Sequence, residues 1–327
     1  MSLGLNRKLE GRKIFLGAVV LGLFSFPLLQ LAWGGFNYWL HMMLYVLMYI
    51  TMTSSWNIIG GYAGYISLGH NVFSGVGGYL AGTLMVFFGI SPFVTAPLAG
   101  LFALALGLVF GLITLRTHGP AFIISTIALL LLFRLAFDNW ELVGGANGMS
   151  LPLPPFEVES QKLPFYYGML IAAVAAVYTS YKIRHSKFGL GLRAIAEDEI
   201  KAETAGIPTS LYKILAFALS GLYIGAVGAL WAYYLTYLRP TIFFEIVIAA
   251  DIVLMTILGG RGTVAGPVLG AIIVVAGNEF FLAKFGFTEL NIAGTGLLML
   301  TVLLFFPEGI IGTLKEHGKL PRILDWG

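Results

Sequence analysis

The chain has 327 residues, 58% hydrophobic and 11% charged, with a mean hydropathy of +0.88, 42 glycines and a formal charge of +3. These values exclude an ordinary soluble domain and describe packed membrane helices. Cysteine is absent, which excludes a disulfide framework, a thiol nucleophile and a zinc–thiolate site, and the small net charge lends nucleic-acid binding no support.

A hydrocarbon core of about 30 Å needs roughly 20 apolar residues per helix. Scanning by length and polar interruption predicts ten spans, at 14–33, 38–59, 71–89, 93–115, 121–137, 165–181, 214–235, 242–258, 264–282 and 292–314. The expected fold class is an all-α integral membrane protein, with 1–327 forming one transmembrane domain and 182–213 a cytoplasmic loop within it. At the start, Arg7 to Lys13 precede an apolar stretch, as in a signal peptide. That stretch is long, contains Pro27 and lacks a small-x-small cleavage site, so a retained helix is expected.

With the N-terminus inside, fifteen of the nineteen Lys and Arg fall in cytoplasmic segments. Lys162, Arg239 and Lys284 fall outside and Arg134 within a span, so the positive-inside rule places both termini in the cytoplasm. The loop at 138–164, with Asp138, Glu141, Glu157 and Glu159, fits the exterior. Four GxxxG pairs, Gly78 with Gly82, Gly107 with Gly111, Gly221 with Gly225 and Gly266 with Gly270, read as helix-packing sites.

Two glycine-rich segments break the apolar pattern, GGYAGYISLGHN at 60–71 and GGRGTVAGP at 259–267. Irregular backbone at membrane depth is tolerated only where protein or a water-filled cavity covers it, and paired interruptions point toward a transport path. For 60–71 a re-entrant segment and a surface loop both fit. A tight surface loop suits 259–267 better.

The five histidines are scattered, with no HExxH pair, and no GxxxxGK[ST] phosphate loop occurs, so catalysis and ATP binding by that route are not expected. Among ionisable groups in the spans, Asp251 lies too deep to reach the interface and needs a polar partner or a water-lined face. It reads either as a pathway residue or as an interhelical anchor. His70 and Asn71 likewise suit a substrate contact or a helix cap. Arg134, nearer a helix end, reads as an interfacial anchor.

The segment 182–213 holds six basic and four acidic residues. Helix formers fill 192–204, with Glu197, Asp198, Glu199 and Glu203 expected on the exposed surface. Leu192, Ile195, Ala196, Ile200 and Ala202 are expected to pack partly on the membrane domain, and Gly206 with Pro208 ends the helix.

Four motifs carry a family resemblance: NIIGGYAGYISLGHNVFSGVGGYLA at 57–81, GLGLRAIAEDEIKAETAG at 189–206, LGGRGTVAGPVLGA at 258–271 and FPEGIIG at 306–312. Through them, and over nearly the whole chain beyond residue 38, the sequence resembles the permease subunits of ATP-binding-cassette importers for branched-chain amino acids, in their LivM-like branch. The resemblance implies that Arg193 to Gly206 forms the coupling helix that docks into a cytoplasmic ATPase, with Glu197, Asp198, Glu199, Ala202 and Gly206 matching the family's pattern. Glu203 lies on the same surface. It further implies that Tyr65, Ser67, His70 and Asn71 belong to the central helices around the pathway, and that GGANG at 144–148 matches an outer loop. Ala249 stands where relatives commonly carry serine.

The implied partners are a second permease, two ATPase subunits that bind ATP and magnesium, an extracytoplasmic solute-binding protein and lipid, in a bacterial or archaeal inner membrane. No cofactor is expected on this chain. A urea or short-chain amide importer remains an alternative, as does an ion-coupled secondary transporter using Asp251. A membrane-embedded assembly partner is a third.

Overall fold

The structure is a computed structural model that describes residues 37–156, 160–286 and 308–318, with further positions within 17–28 and 293–306. Eight helices among the described residues are long and apolar enough to cross a membrane. The protein is an all-α membrane protein, with one two-residue β ladder besides.

The first of these helices, α1 (Asn37–Gly60), is the most enclosed, with 83% of its apolar window buried inside the protein. Its hydroxyls Thr51 and Thr53 fold back onto the carbonyls of Leu47 and Tyr49 at 2.8 and 2.7 Å, which lets a polar TMTSSWN stretch sit in an apolar core. The chain then runs without helix through 61–70 into α2 (Asn71–Phe88), which Gly89 stops in the left-handed conformation. Prolines at the first helical position begin both α3 (Pro92–Thr114) and α4 (Pro120–Asp138). Beyond two short 3₁₀ turns, β1 (Met149–Ser150) leads toward α5 (Lys162–Arg184).

Next come α6 (Lys187–Glu197), α7 (Glu199–Thr204) and α8 (Thr209–Leu235). With 27 residues, α8 is about 40 Å long and forms the second pillar of the core. It is followed by β2 (Tyr237–Leu238), α9 (Pro240–Phe243), α10 (Ile246–Gly259), α11 (Ala265–Phe285) and α12 (Gly309–Glu316). Antiparallel pairing of Met149 with Leu238 and Ser150 with Tyr237 ties the segment after α4 to the end of α8.

Small residues let the central helices touch backbone to backbone. α8 lies along α3, α2 and α1, while α1 also meets α5, α10 and α11. A Cβ on Gly77 would lie 2.1 Å from the Gly225 carbonyl oxygen, and one on Gly228 2.3 Å from that of Ser74. The α10–α11 hairpin is as tight, since a Cβ on Gly270 would meet the Met255 carbonyl at 1.8 Å. Of the expected packing pairs, Gly107, Gly225, Gly266 and Gly270 face another segment's backbone within 3.0 Å. Gly82 instead accommodates Leu238, Gly221 faces Phe73, and Gly78 and Gly111 have looser surroundings.

Several sequence expectations are corrected. The span at 242–258 is not one helix: the backbone breaks at Phe244 and Glu245, where Glu245 is extended (φ −84°, ψ 131°). The closing span does not continue through Leu314, because residue 306 is non-helical and Gly309, at φ +75°, begins the separate helix α12. The expected span at 14–33 lies largely outside the described residues. Of the two readings left open for the glycine segment after α1, a surface loop does not fit, since Tyr62, Ala63, Tyr65, Ser67, Gly69 and His70 are all buried.

Candidate functional site

The charged segment 182–213 folds as two helices rather than the one expected over 192–204. Asp198 causes the break. Its backbone is extended (φ −161°, ψ 107°), its carboxylate accepts from the Lys201 amide at 3.0 Å, and it pairs with the Lys201 ammonium at 3.0 Å. One residue thus ends α6 and caps α7. After α7, Gly206 at φ +86° closes the turn, with the Ile207 amide donating to the Ala202 carbonyl at 3.1 Å.

Leu192, Ile195 and Ala202 face inward as expected, but Ala196 and Ile200 do not. Ile200 is 77% exposed, and Arg193, Glu197, Glu203 and Gly206 are exposed around it. Asp198 is half-buried. Glu199, expected on the outer surface, turns back into the protein.

There Glu199 meets two groups that hold both of its oxygens. Lys213, on the first turns of α8 and only 2% exposed, pairs with Oε1, and the Tyr65 hydroxyl donates to Oε2. The Lys213 ammonium also donates to the Tyr65 oxygen at 3.1 Å and to the Leu115 carbonyl at 3.5 Å. It lies 4.9 Å from the Tyr65 ring centre. His118 stands 3.5 Å from Oε2 at the rim. Burial acts to raise the Glu199 carboxyl, but the hydrogen bonds from Lys213 and Tyr65, helped by the charges of Lys213 and His118, outweigh it and hold the group below the usual carboxylate value. The Tyr65 phenol is pushed up by burial and by Glu199, which keeps it a donor.

Tyr65 belongs to the non-helical segment 61–70, which passes from this cluster into the core. A Cβ on Gly64 (φ +77°) would lie 3.4 Å from that of Ala196 on α6. Farther along, the Trp56 indole donates to the Ser67 carbonyl at 2.8 Å, and the Leu68 amide to Thr126 Oγ1 at 3.2 Å. Gly69 presses so closely on α4 that a Cβ would lie 2.0 Å from the Thr126 carbonyl oxygen. From Ser67 to His70 the segment's backbone is thus covered by protein, as irregular structure at depth requires, whereas Gly64 near the charged cluster is exposed. The Ser67 hydroxyl is buried with no hydrogen-bond partner among the described residues.

His70 and Asn71 complete the path. His70 Nε2 lies 2.7 Å from Ser220 Oγ, whose own hydrogen goes to the Phe217 carbonyl at 2.7 Å, so the imidazole is the donor. Asn71 Nδ2 donates to the carbonyls of Phe243 and Glu245 at 3.0 and 3.1 Å. These carbonyls belong to the last residue of α9 and to the residue that caps α10. At the other end of α10, Asn57 Nδ2 donates to the Thr263 carbonyl at 2.8 Å while its Oδ1 accepts from the Gly262 amide at 2.9 Å.

The two glycine-rich interruptions therefore meet through Asn57, and α10 is held at both ends by asparagines flanking 61–70. Asp251 lies on α10 between these holds, half-buried and without a hydrogen bond or ion pair among the described residues. Tyr65, Ser67, His70 and Asn71 are in one continuous strip, with Tyr65 at the charged cluster and Asn71 at the foot of the helix carrying Asp251. Lys213, Asn57, Ser220 and His118 were not anticipated in these roles.

A separate groove of about 450 Å³ runs between α3, α5 and α8, lined by Phe93, Gly100, Gly168, Leu222 and Leu230. Its one hydroxyl, on Tyr223, lies 2.6 Å from Thr179 Oγ1. No group of three His, Cys, Asp or Glu among the described residues is placed to hold a metal.

Comparison with known proteins gives a consistent picture. The family described as branched-chain amino acid transport system / permease component matches residues 38–306. The chain is 24% identical over 301 residues to the high-affinity branched-chain amino acid transport system permease protein LivM of Escherichia coli (strain K12), covering 84% of this chain and 70% of that one. Over 143 residues it is 28% identical to the corresponding LivH protein of Salmonella typhimurium, covering 44% and 46%. Over 130 residues it is 31% identical to BraD of Pseudomonas aeruginosa, covering 40% and 41%. No solved structure matches the chain at a significant level.

Proposed function

The chain belongs to the branched-chain amino acid transport permease family, and from that premise we propose that it is one of two related membrane subunits of an ATP-driven importer for branched-chain or other aliphatic amino acids. It is a transport subunit rather than an enzyme. Similarity to both LivM and LivH, named as separate permease proteins of one kind of transport system, supports a second, homologous permease beside it. In this reading two cytoplasmic ATP-binding-cassette subunits bind ATP with magnesium, and a solute-binding protein delivers substrate from outside. The chain crosses the inner membrane of a bacterium or archaeon ten times, with both termini in the cytoplasm.

The observation that carries the proposal is the α6–α7 pair. It presents exposed Arg193, Glu197, Ile200 and Glu203 between two spans while Leu192, Ile195 and Ala202 anchor it to the membrane domain. A partner seated there can move the spans without entering the membrane. We assign Arg193, Glu197, Asp198, Glu203 and Gly206 to that docking surface, with Ala202 buried beneath it and Glu199 joining it to the core. Ser67, His70, Asn71 and Asp251 are assigned to the pathway side, where a strip with few charges suits an aliphatic side chain.

Reconstitution in liposomes tests this. Uptake of leucine is expected only with ATP, the ATPase subunits and the solute-binding protein present, and urea or acetamide is expected to be a poor substrate. Uptake driven by an ion gradient through this chain alone would sink the proposal.

A further inference from the structure

The strip 61–70 is fastened at one end to the docking helices and at the other to the break in a spanning helix. We propose that it acts as a lever: Tyr65, Glu199 and Lys213 join it rigidly to the α6–α7 pair, and Asn71 transmits its movement to the break at Phe244 and Glu245, tilting α10 and carrying Asp251 with it. This rests on the importer reading above, since a docked ATPase supplies the movement.

Three features make the near end stiff. Lys213 reaches the Glu199 carboxylate, the Tyr65 oxygen and the Leu115 carbonyl, so its donors are all directed inward. Glu199 is held on both oxygens, which restricts rotation of the carboxylate. The strip runs close to α6 beside the cluster, since a Cβ added to Gly64 would lie at van der Waals distance, 3.4 Å, from that of Ala196.

The far end differs in kind. Asn71 grips the chain where α9 ends and α10 begins, on the carbonyls of the last residue of α9 and of the residue that caps α10. Beyond the break, a Cβ on Gly75 would lie 2.3 Å from the Phe244 ring, so the first turns of α2 also press on this point. The opposite end of α10 turns at Gly260 and is held by Asn57 through one residue's side chain. α10 and α11, locked together where Gly270 meets the Met255 carbonyl, form one body between two side-chain holds, and such a body can rotate about one hold when the other is displaced. Tyr65, Glu199, Lys213 and Asn71 are therefore positioning residues for transport.

Because the chain has no cysteine of its own, a single engineered pair is unambiguous within it. Gly64→Cys with Ala196→Cys would place the two Cβ atoms about 3.4 Å apart, near the range a disulfide spans. In the complete transporter reconstituted in liposomes, the cross-linked pair is expected to transport within about twofold of its reduced form, because the joined parts already move together. A block reversed by reductant would show that they slide, and would overturn the lever.

Asn71→Ala tests the far end. Uptake is expected to fall at least tenfold while the ATPase subunits remain bound and continue to hydrolyse ATP. Uptake within twofold of the unaltered complex would overturn the proposal, as would loss of assembly and hydrolysis together, which would mark Asn71 as merely structural. ATP-independent uptake by the unaltered complex would defeat the importer reading itself, a result distinct from either of these.

Discussion

Asn57 and Thr263, 206 positions apart, are joined by a 2.8 Å hydrogen bond from the amide nitrogen of one to the backbone carbonyl of the other. The same asparagine accepts from the Gly262 amide, so one side chain satisfies both kinds of backbone group in the turn between α10 and α11. Gly262 and Thr263 are half-buried, so the fully buried Asn57 supplies from inside the protein what water reaches only in part. Asn57→Asp keeps the acceptor and loses the donor, whereas Asn57→Ala loses both. Both are expected to lower the stability of the purified protein, alanine by about 1–3 kcal/mol for each backbone group left unsatisfied and aspartate by more, because its buried carboxylate would face the Thr263 carbonyl oxygen. Equal midpoints for all three proteins would reject this role.

The Lys213–Glu199 pair makes a non-additive prediction. Lys213→Met removes the cation and leaves a carboxylate facing the core, which costs several kcal/mol when fully buried and less here, since Glu199 keeps 21% of its side chain exposed. Glu199→Gln on that background removes the stranded charge. The double variant is expected to be more heat-stable than Lys213→Met alone, as read by detergent-phase unfolding. Strict additivity would mean the two groups are energetically separate.

Acid should reach this cluster late. Because the Glu199 carboxyl is held below its ordinary value in the folded protein, its contribution is fully present above that value and is lost as pH falls through the lowered one. The difference in thermal midpoint between the natural protein and Glu199→Gln is expected to stay constant from pH 7 to about 5 and to shrink only below the ordinary carboxylate value of about 4.3. A difference already closing near neutrality would contradict the assigned shift.

Packing of the core predicts a contrast between two Gly→Ala changes. At Gly77 the added methyl would lie 2.1 Å from the Gly225 carbonyl oxygen, whereas at Gly111 its nearest neighbour is the Ile214 side chain at 3.4 Å. Gly77→Ala is expected to reduce folded yield and cost about 1–3 kcal/mol, as overpacking does, while Gly111→Ala is expected to be neutral. Size-exclusion profiles of the two variants after mild heating measure this.

The docking surface is tested without touching the core by Ile200→Asp and Glu203→Arg, both on the exposed side of α7. The ATPase subunits are expected to copurify poorly with either variant, while the thermal midpoint of the membrane domain stays within about 0.5 kcal/mol of the natural value, as for ordinary surface changes. Full copurification would place the contact elsewhere.

How far the sequence alone leads depends on the kind of interaction. Span positions follow from local apolar length, and most spanning helices from 37 to 285 start and stop near the expected residues, the broken one at 242–258 and the early start of α8 excepted. Asp198 shows the limit of reading helix formers: three residues before Lys201, it carries a capping signal of its own that a run of good helix-forming residues conceals. By composition Lys213 is one more cytoplasmic cation, though it follows the helix start at Thr209 and shares a face with Ala216, Phe217 and Ser220, all buried. Asn71 could be marked as polar in an apolar setting, but its partners lie 172 and 174 positions away and leave no local trace. The broken helix was equally hidden, because Phe243–Glu245 interrupts an apolar run by geometry rather than by composition.

The notch at Gly77 and Gly225 also limits how the core can move. Where a carbonyl of one helix occupies the space a methyl would need on its neighbour, axial sliding of α2 along α8 would drive backbone atoms into one another after a fraction of a helical rise. The two helices are geared rather than greased: they can turn as a unit but not shear. Whatever displacement accompanies passage of a solute must then be taken up at a boundary with softer teeth, and the side-chain holds of Asn71 and Asn57 on the α10–α11 hairpin form such a boundary.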